Sequence, residues 1–97
     1  MPPYGRLAGL IISGTDALEV ERFAKLIASR AVATKNVQVL GPAQAPLAVI
    51  NGRHRWRLLV KAARDVDLQA FLRQWLADVK PRGSLNLQID VDPYGFL

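Results

Sequence analysis

Hydrophobic and polar positions alternate most cleanly near the end of the chain. In SLNLQIDVD (84–92), Leu85, Leu87, Ile89 and Val91 fall on one side, and Asn86, Gln88, Asp90 and Asp92 on the other. A period of two predicts a strand with one covered face. The same period runs through GRHRWRLLVKA (52–62). There His54, Trp56, Leu58, Val60 and Ala62 alternate with Arg53, Arg55, Arg57, Leu59 and Lys61. RLAGLIIS (6–13) is a short apolar run, β-branched near its end, and predicts a buried strand. VQVL (37–40) alternates as a further strand, and GPAQAP (41–46) is expected to end it at an edge or bulge, because proline cannot donate to a ladder. LAVING (47–52) then serves as a connecting arm, with Asn51-Gly52 as a tight turn.

Two segments carry a helical period instead. After the SGTD turn, Asp16 is a candidate N-cap, with Glu19 three residues on completing a capping box. Val20, Phe23, Ala24 and Ile27 then share one face, and the helix is expected to fray near 30–33. The second helix is expected from a cap at Asp65 to about Val79. Leu68, Phe71, Leu72, Trp75, Leu76 and Val79 follow a 3–4 spacing, and Pro81 and Gly83 stop it.

The order is β-α-β-β-α-β, the split βαβ or ferredoxin-like arrangement. The expected class is α+β: a four-stranded antiparallel sheet with both helices on one face and the other face open to water. At 97 residues the chain fits one domain, 1–97. A length of this order buries roughly 60–65% of the unfolded surface, enough for a modest core.

The charge changes this picture from a fold to a surface. The formal net charge is +5. Residues 53–64 hold Arg53, Arg55, Arg57, Lys61 and Arg64 and no acid, so this segment carries the whole excess. Alternate residues on a strand lie about 6.6–6.8 Å apart. That is close to two 3.4 Å steps along a nucleic-acid strand. Arg53, Arg55, Arg57 and Lys61 on the open face are therefore expected to follow a phosphate backbone, with salt-sensitive and weakly sequence-specific binding. Trp56 falls on the covered side, so the surface lacks the aromatic platform of an RNA-recognition motif. His54 and Tyr94 are the remaining candidates for stacking a base.

Enzymatic and metal chemistry find little support. There is no cysteine and one histidine, which argues against disulfides and zinc. Asp90 and Asp92 form a two-apart carboxylate pair with no third ligand nearby. His54 has no partner for a nucleophilic triad. SGTD lacks the P-loop pattern. The longest apolar run is too short to cross a bilayer, and residues 1–13 lack signal-peptide order. A soluble, cytoplasmic protein that is no enzyme by itself fits these features.

LGPAQAPLA (40–48), GRHRWRLLVKA (52–62) and IDVDP (89–93) resemble the C-terminal domain of the primosomal protein N′ family of replication-restart helicases. PPYGRLAGLIISG (2–14) resembles the junction at which that domain leaves the second helicase lobe. Two positions depart from the pattern: His54 stands where tyrosine is usual, and Gln44 where proline is usual. The resemblance implies a DNA-binding domain of a larger helicase, similar in fold to a small-subunit ribosomal protein. It implies ATP with magnesium, and zinc, only in a helicase core that this chain does not contain. It also implies action at stalled forks, contact with the helicase core, and docking of the acidic tail of single-stranded-DNA-binding protein near Arg64 and Gln69. Two further readings stand beside DNA binding: a protein-docking domain, with Pro2, Pro3 and Tyr4 against the helicase lobes, and a ribosomal or RNA-binding protein of the same fold.

Overall fold

The computed structural model describes residues 5–32 and 34–91, apart from the side chains of 46–48. Six elements follow in order: β1 (Arg6–Gly14), α1 (Ala17–Ser29), β2 (Val37–Ile50), β3 (Arg53–Ala62), α2 (Leu68–Trp75) and β4 (Asn86–Val91). The fold is α+β. The strands form one four-stranded sheet in the order β2-β3-β1-β4, with every neighbouring pair antiparallel.

The register assigns each strand residue to a face. Leu10 lies opposite Leu58 and Ile89, and Ala8 opposite Val60 and Val91. These residues face the helices. Ala8, Leu10, Ile12, Leu58, Val60 and Ala62 are fully buried there, in one cluster with Val20, Ala24 and Ile27 of α1 and Leu68, Leu72 and Trp75 of α2. Burial at these positions is the main driving term for the fold. The Trp75 indole nitrogen donates to the Ile27 carbonyl at 2.9 Å, tying the two helices together inside the core. Phe71 and Trp75 pack as a tilted ring pair with centroids 5.8 Å apart.

The caps are partly as expected. Asp16 accepts from the backbone of Leu18 and Glu19 at the head of α1. The cap of α2 is Asp67, not Asp65: its carboxylate accepts from Ala70 N at 3.0 Å. Residues 63–66 close a turn first, with Val66 N donating to Ala63 O, so the helix begins two residues later than the spacing suggested. It also ends earlier, at Trp75. Val79 N donates to Leu76 O, a tightened i→i+3 turn rather than a further helical one. Leu76 and Val79 still pack against the core, so the apolar spacing marked burial correctly beyond the helix itself.

The main departure is β2. GPAQAP does not end it, since the strand runs on to Ile50. Among the described residues β2 is an edge strand that pairs only with β3, and its register slips between Leu40 and Ala43 and between Gln44 and Val49. An edge strand tolerates Pro42 and Pro46 because one side of its ladder is unpaired, and bulges absorb the extra residues. The Gly41–Pro42 bond is cis. LAVING is thus the end of a strand rather than an arm. Asn51 and Gly52 both take positive φ, 52° and 76°, as a tight hairpin turn requires.

On β4, Leu87 and Val91 pack on the core as expected, whereas Ile89 is 41% exposed. It lies opposite Leu10 on the helix side of the sheet, on an edge strand.

Candidate nucleic-acid interface

The alternation of β3 places its basic residues on the face away from the helices. Ser13 lies opposite Arg55, Ile11 opposite Arg57, Gly9 opposite Leu59 and Leu7 opposite Lys61. On the other side Gln38 lies opposite Lys61, Leu40 opposite Leu59 and Ala43 opposite Arg57. Gln88 and Asp90 extend these rows onto β4, beside Ile11 and Gly9. The open face is thus a central basic strand with aliphatic residues at its flanks. Long cationic side chains suit such a setting, because their stems lie along apolar surface while their heads stay in water.

The four cations do not play one role. Arg53 Nη2 donates to Ser13 Oγ at 3.2 Å and to the Ser84 carbonyl at 2.7 Å. Ser84 Oγ in turn accepts from Thr15 N and from Thr15 Oγ1. Arg53 therefore ties the end of β3 across β1 to the turn that leads into β4. Arg55, Arg57 and Lys61 continue the row along the strand. Leu59 stands between Arg57 and Lys61 and interrupts it. The interruption is visible in the sequence, but its neighbours are not. Leu40, Gly41, Ala43, Arg57 and Leu59 line a shallow depression at this point. Leu40 and Ala43 share the open face only because the bulge at Gly41 and Pro42 adds a residue between them. In a regular strand, residues three apart point to opposite faces.

Arg64 and Gln69 are both exposed, Arg64 in the turn before α2 and Gln69 in its first turn. Arg64 packs its stem over Gly5, where any side chain would collide with it. Trp56 lies on the covered side, partly buried against the core. His54 lies on the same side, opposite Gly14 and Val49, so it does not reach the open face as a stacking residue. Tyr94, Asp92, Pro2, Pro3 and Tyr4 lie outside the described residues. Among the described residues no three His, Cys, Asp or Glu side chains gather as a metal site, and no helix is long and apolar enough to cross a membrane.

A two-layer α+β domain with one basic sheet face that no described element covers is the class that this geometry defines. The chain belongs to the family described as primosomal protein N C-terminal domain, whose model matches residues 1–94. It is similar to the replication restart protein PriA of Rickettsia felis, with 36% identity over 99% of this chain and 15% of that protein. It is 39% identical to PriA of Synechocystis over 95% of this chain and 11% of that protein. PriA of Bacillus subtilis is 29% identical over 96% of this chain and 12% of that protein. The chain thus spans about one seventh or less of the length of these relatives.

Proposed function

We propose that this domain binds DNA for a replication-restart helicase, holding branched or single-stranded DNA at stalled forks while a primosome assembles. The observation that carries this reading is the basic row of β3 on an uncovered sheet face, within a family whose named members are replication restart proteins. Arg55, Arg57 and Lys61 are the phosphate contacts, and Arg53 supports them from the end of the row. Binding is led by the backbone and falls steeply with salt, with a slope of about −2 on single strands for three phosphates neutralised. ATP-driven unwinding and zinc binding belong, in this reading, to other parts of the longer relatives. These 97 residues, with no cysteine and one histidine, supply neither. The setting is the bacterial cytoplasm, at the nucleoid.

The test is fluorescence anisotropy with a labelled fork, duplex and single strand across a salt series. The double variant Arg55→Glu, Arg57→Glu is expected to abolish binding and flatten the slope. Unchanged fork binding in that variant would remove β3 from the interface.

A second reading rests on Arg64 and Gln69, exposed together at the head of α2. They suit an acidic tail such as that of single-stranded-DNA-binding protein. Saturable binding of an acidic, apolar-ended peptide that is lost in Arg64→Glu supports this reading, and absence of binding at high peptide concentration removes it.

A further inference from the structure

The basic row of β3 is broken by one apolar residue, and the break coincides with a depression. Leu59 occupies the position at which a further cation would continue the spacing from Arg55 and Arg57 to Lys61. Leu40 stands directly opposite it on β2, and Gly41, Ala43 and Arg57 complete the lining. The depression is kept open by its backbone. Gly41 has φ +104°, and a Cβ there would come within 2.9 Å of the Arg57 carbonyl oxygen, so no side chain fills the place.

We propose that this depression seats one unpaired base, with phosphates to either side of it on Arg57 and Lys61; the proposal rests on the DNA-binding reading above and adds to it a reason to prefer unpaired strands. A duplex turns hydrated phosphates outward and keeps its bases stacked inside. Laid on this face, it would leave Leu40 and Leu59 against charge and water. An unpaired base brings a flat apolar face that covers them, and stacking of this kind tolerates any base.

The position of the depression also matters. Cations stand on both sides of Leu59 along the strand, each roughly 6.6–6.8 Å from it, so Arg57 and Lys61 lie about 13 Å apart at the backbone. A nucleotide chain with one base over Leu59 carries phosphates to both sides of it, where these two long side chains can reach them. A peptide tail with its acids on one side of an apolar end would match only one of the two cations. Asp90 lies on the same row across the sheet, beyond Gly9. Its carboxylate disfavours a phosphate path over β4 and keeps the strand on the β2–β3 half of the face, where the depression is.

The seat separates experimentally from the phosphate contacts because a base contributes no counterion release. The 97-residue chain would be titrated with a mixed-sequence single strand, with the same strand carrying abasic spacers throughout, and with a duplex. The wild type is expected to bind the base-bearing strand about five-fold more tightly than the abasic strand, the low end of the stacking range, with equal salt slopes. Leu59→Gln and, independently, Leu40→Gln are expected to abolish that difference without changing the slope. Arg57→Gln is expected to keep the difference and lower the slope by about 0.7. Equal wild-type affinity for base-bearing and abasic strands overturns the seat while leaving the interface standing, and needs no variant to fold. So does an acidic, apolar-ended peptide whose binding is lost in Leu59→Gln while DNA binding is untouched, which would assign the depression to a protein. No binding to any strand overturns the interface and the seat together.

Discussion

The two faces of this sheet are drawn from the same ten residues of β3, and they obey different rules. Leu58, Val60 and Ala62 are fully buried against both helices. Arg57, Leu59 and Lys61, each one residue away, are only partly covered. On the first face volume decides what is tolerated, because close packing punishes every lost methylene. On the second, charge and spacing decide, and the fold is nearly indifferent to them. A strand of this kind lets the surface change without touching the core.

The contrast breaks most visibly at Leu58. Leu58→Ala is expected to destabilise the domain by about 2–5 kcal/mol, as truncation of fully buried leucines does. Arg57→Ala, one residue away, is expected to change stability by less than about 0.5 kcal/mol. Urea unfolding of both variants measures the gap. Similar losses for the two would mean that the open face is covered in the folded chain.

Trp75 tests the covered face by chemistry rather than volume. Trp75→Phe keeps a ring beside Phe71 but removes the indole donor, leaving the buried Ile27 carbonyl without it. The expected cost is about 1–3 kcal/mol, from the lost hydrogen bond and the lost indole volume, because Arg30 N still donates to that carbonyl at 3.1 Å. A melt at the wild-type temperature would show that the Arg30 N–H alone satisfies this carbonyl and that the indole bond does not hold the helices together.

Arg53 sharpens the comparison from the other side, because it is an open-face residue that works for the fold. Arg53→Ala removes the bonds to Ser13 and Ser84 and is expected to cost about 1–2 kcal/mol. Its effect on the salt slope of DNA binding is expected to be smaller than that of Arg57→Ala. Equal slopes for the two variants would return Arg53 to the phosphate path.

This mixture explains what could be read in advance. The bounds of β3, the Asn51-Gly52 turn and the Asp16 cap follow from local pattern, and the structure places each where the pattern does. The element order and the α+β class follow from the sum of such patterns. What local pattern cannot carry is contact between distant residues. Ser13 and Ser84 lie 40 and 31 residues from Arg53, so nothing in GRHRW reveals that this arginine is a tie. The course of β2 was hidden for a related reason. Pro42 and Pro46 argue against a strand unless it lies at an edge, and edge position is a property of the assembled sheet. The bulge then shifts the alternation by one residue, so the partnership of Leu40 with Ala43 beside Leu59 appears only in the register. Ile89 alternates as a core residue, yet is 41% exposed on β4, an edge strand of the assembled sheet.

The smallest effect concerns the head of α2, where two aspartates precede one apolar pattern. Asp65 and Asp67 stand two residues apart, and either is a reasonable cap for a helix that buries Leu68, Leu72 and Trp75. The geometry separates them. A cap accepts from the backbone N–H two or three residues on, and Asp67 does so with Ala70 N at 3.0 Å. Asp65 sits inside the turn that Val66 N closes on Ala63 O. Asp67→Ala is therefore expected to cost about 1 kcal/mol and Asp65→Ala less than about 0.5 kcal/mol. Because Arg64 and Gln69 flank this turn, the same pair of variants also probes the second docking surface. If Asp67→Ala weakens binding of an acidic peptide while Asp65→Ala strengthens it, the ordered helix head presents Arg64 and Gln69, and the Asp65 charge opposes the ligand. If neither variant moves peptide binding, the head of α2 serves the fold alone, and the acidic-tail reading falls while the proposed DNA interface on the open face stands.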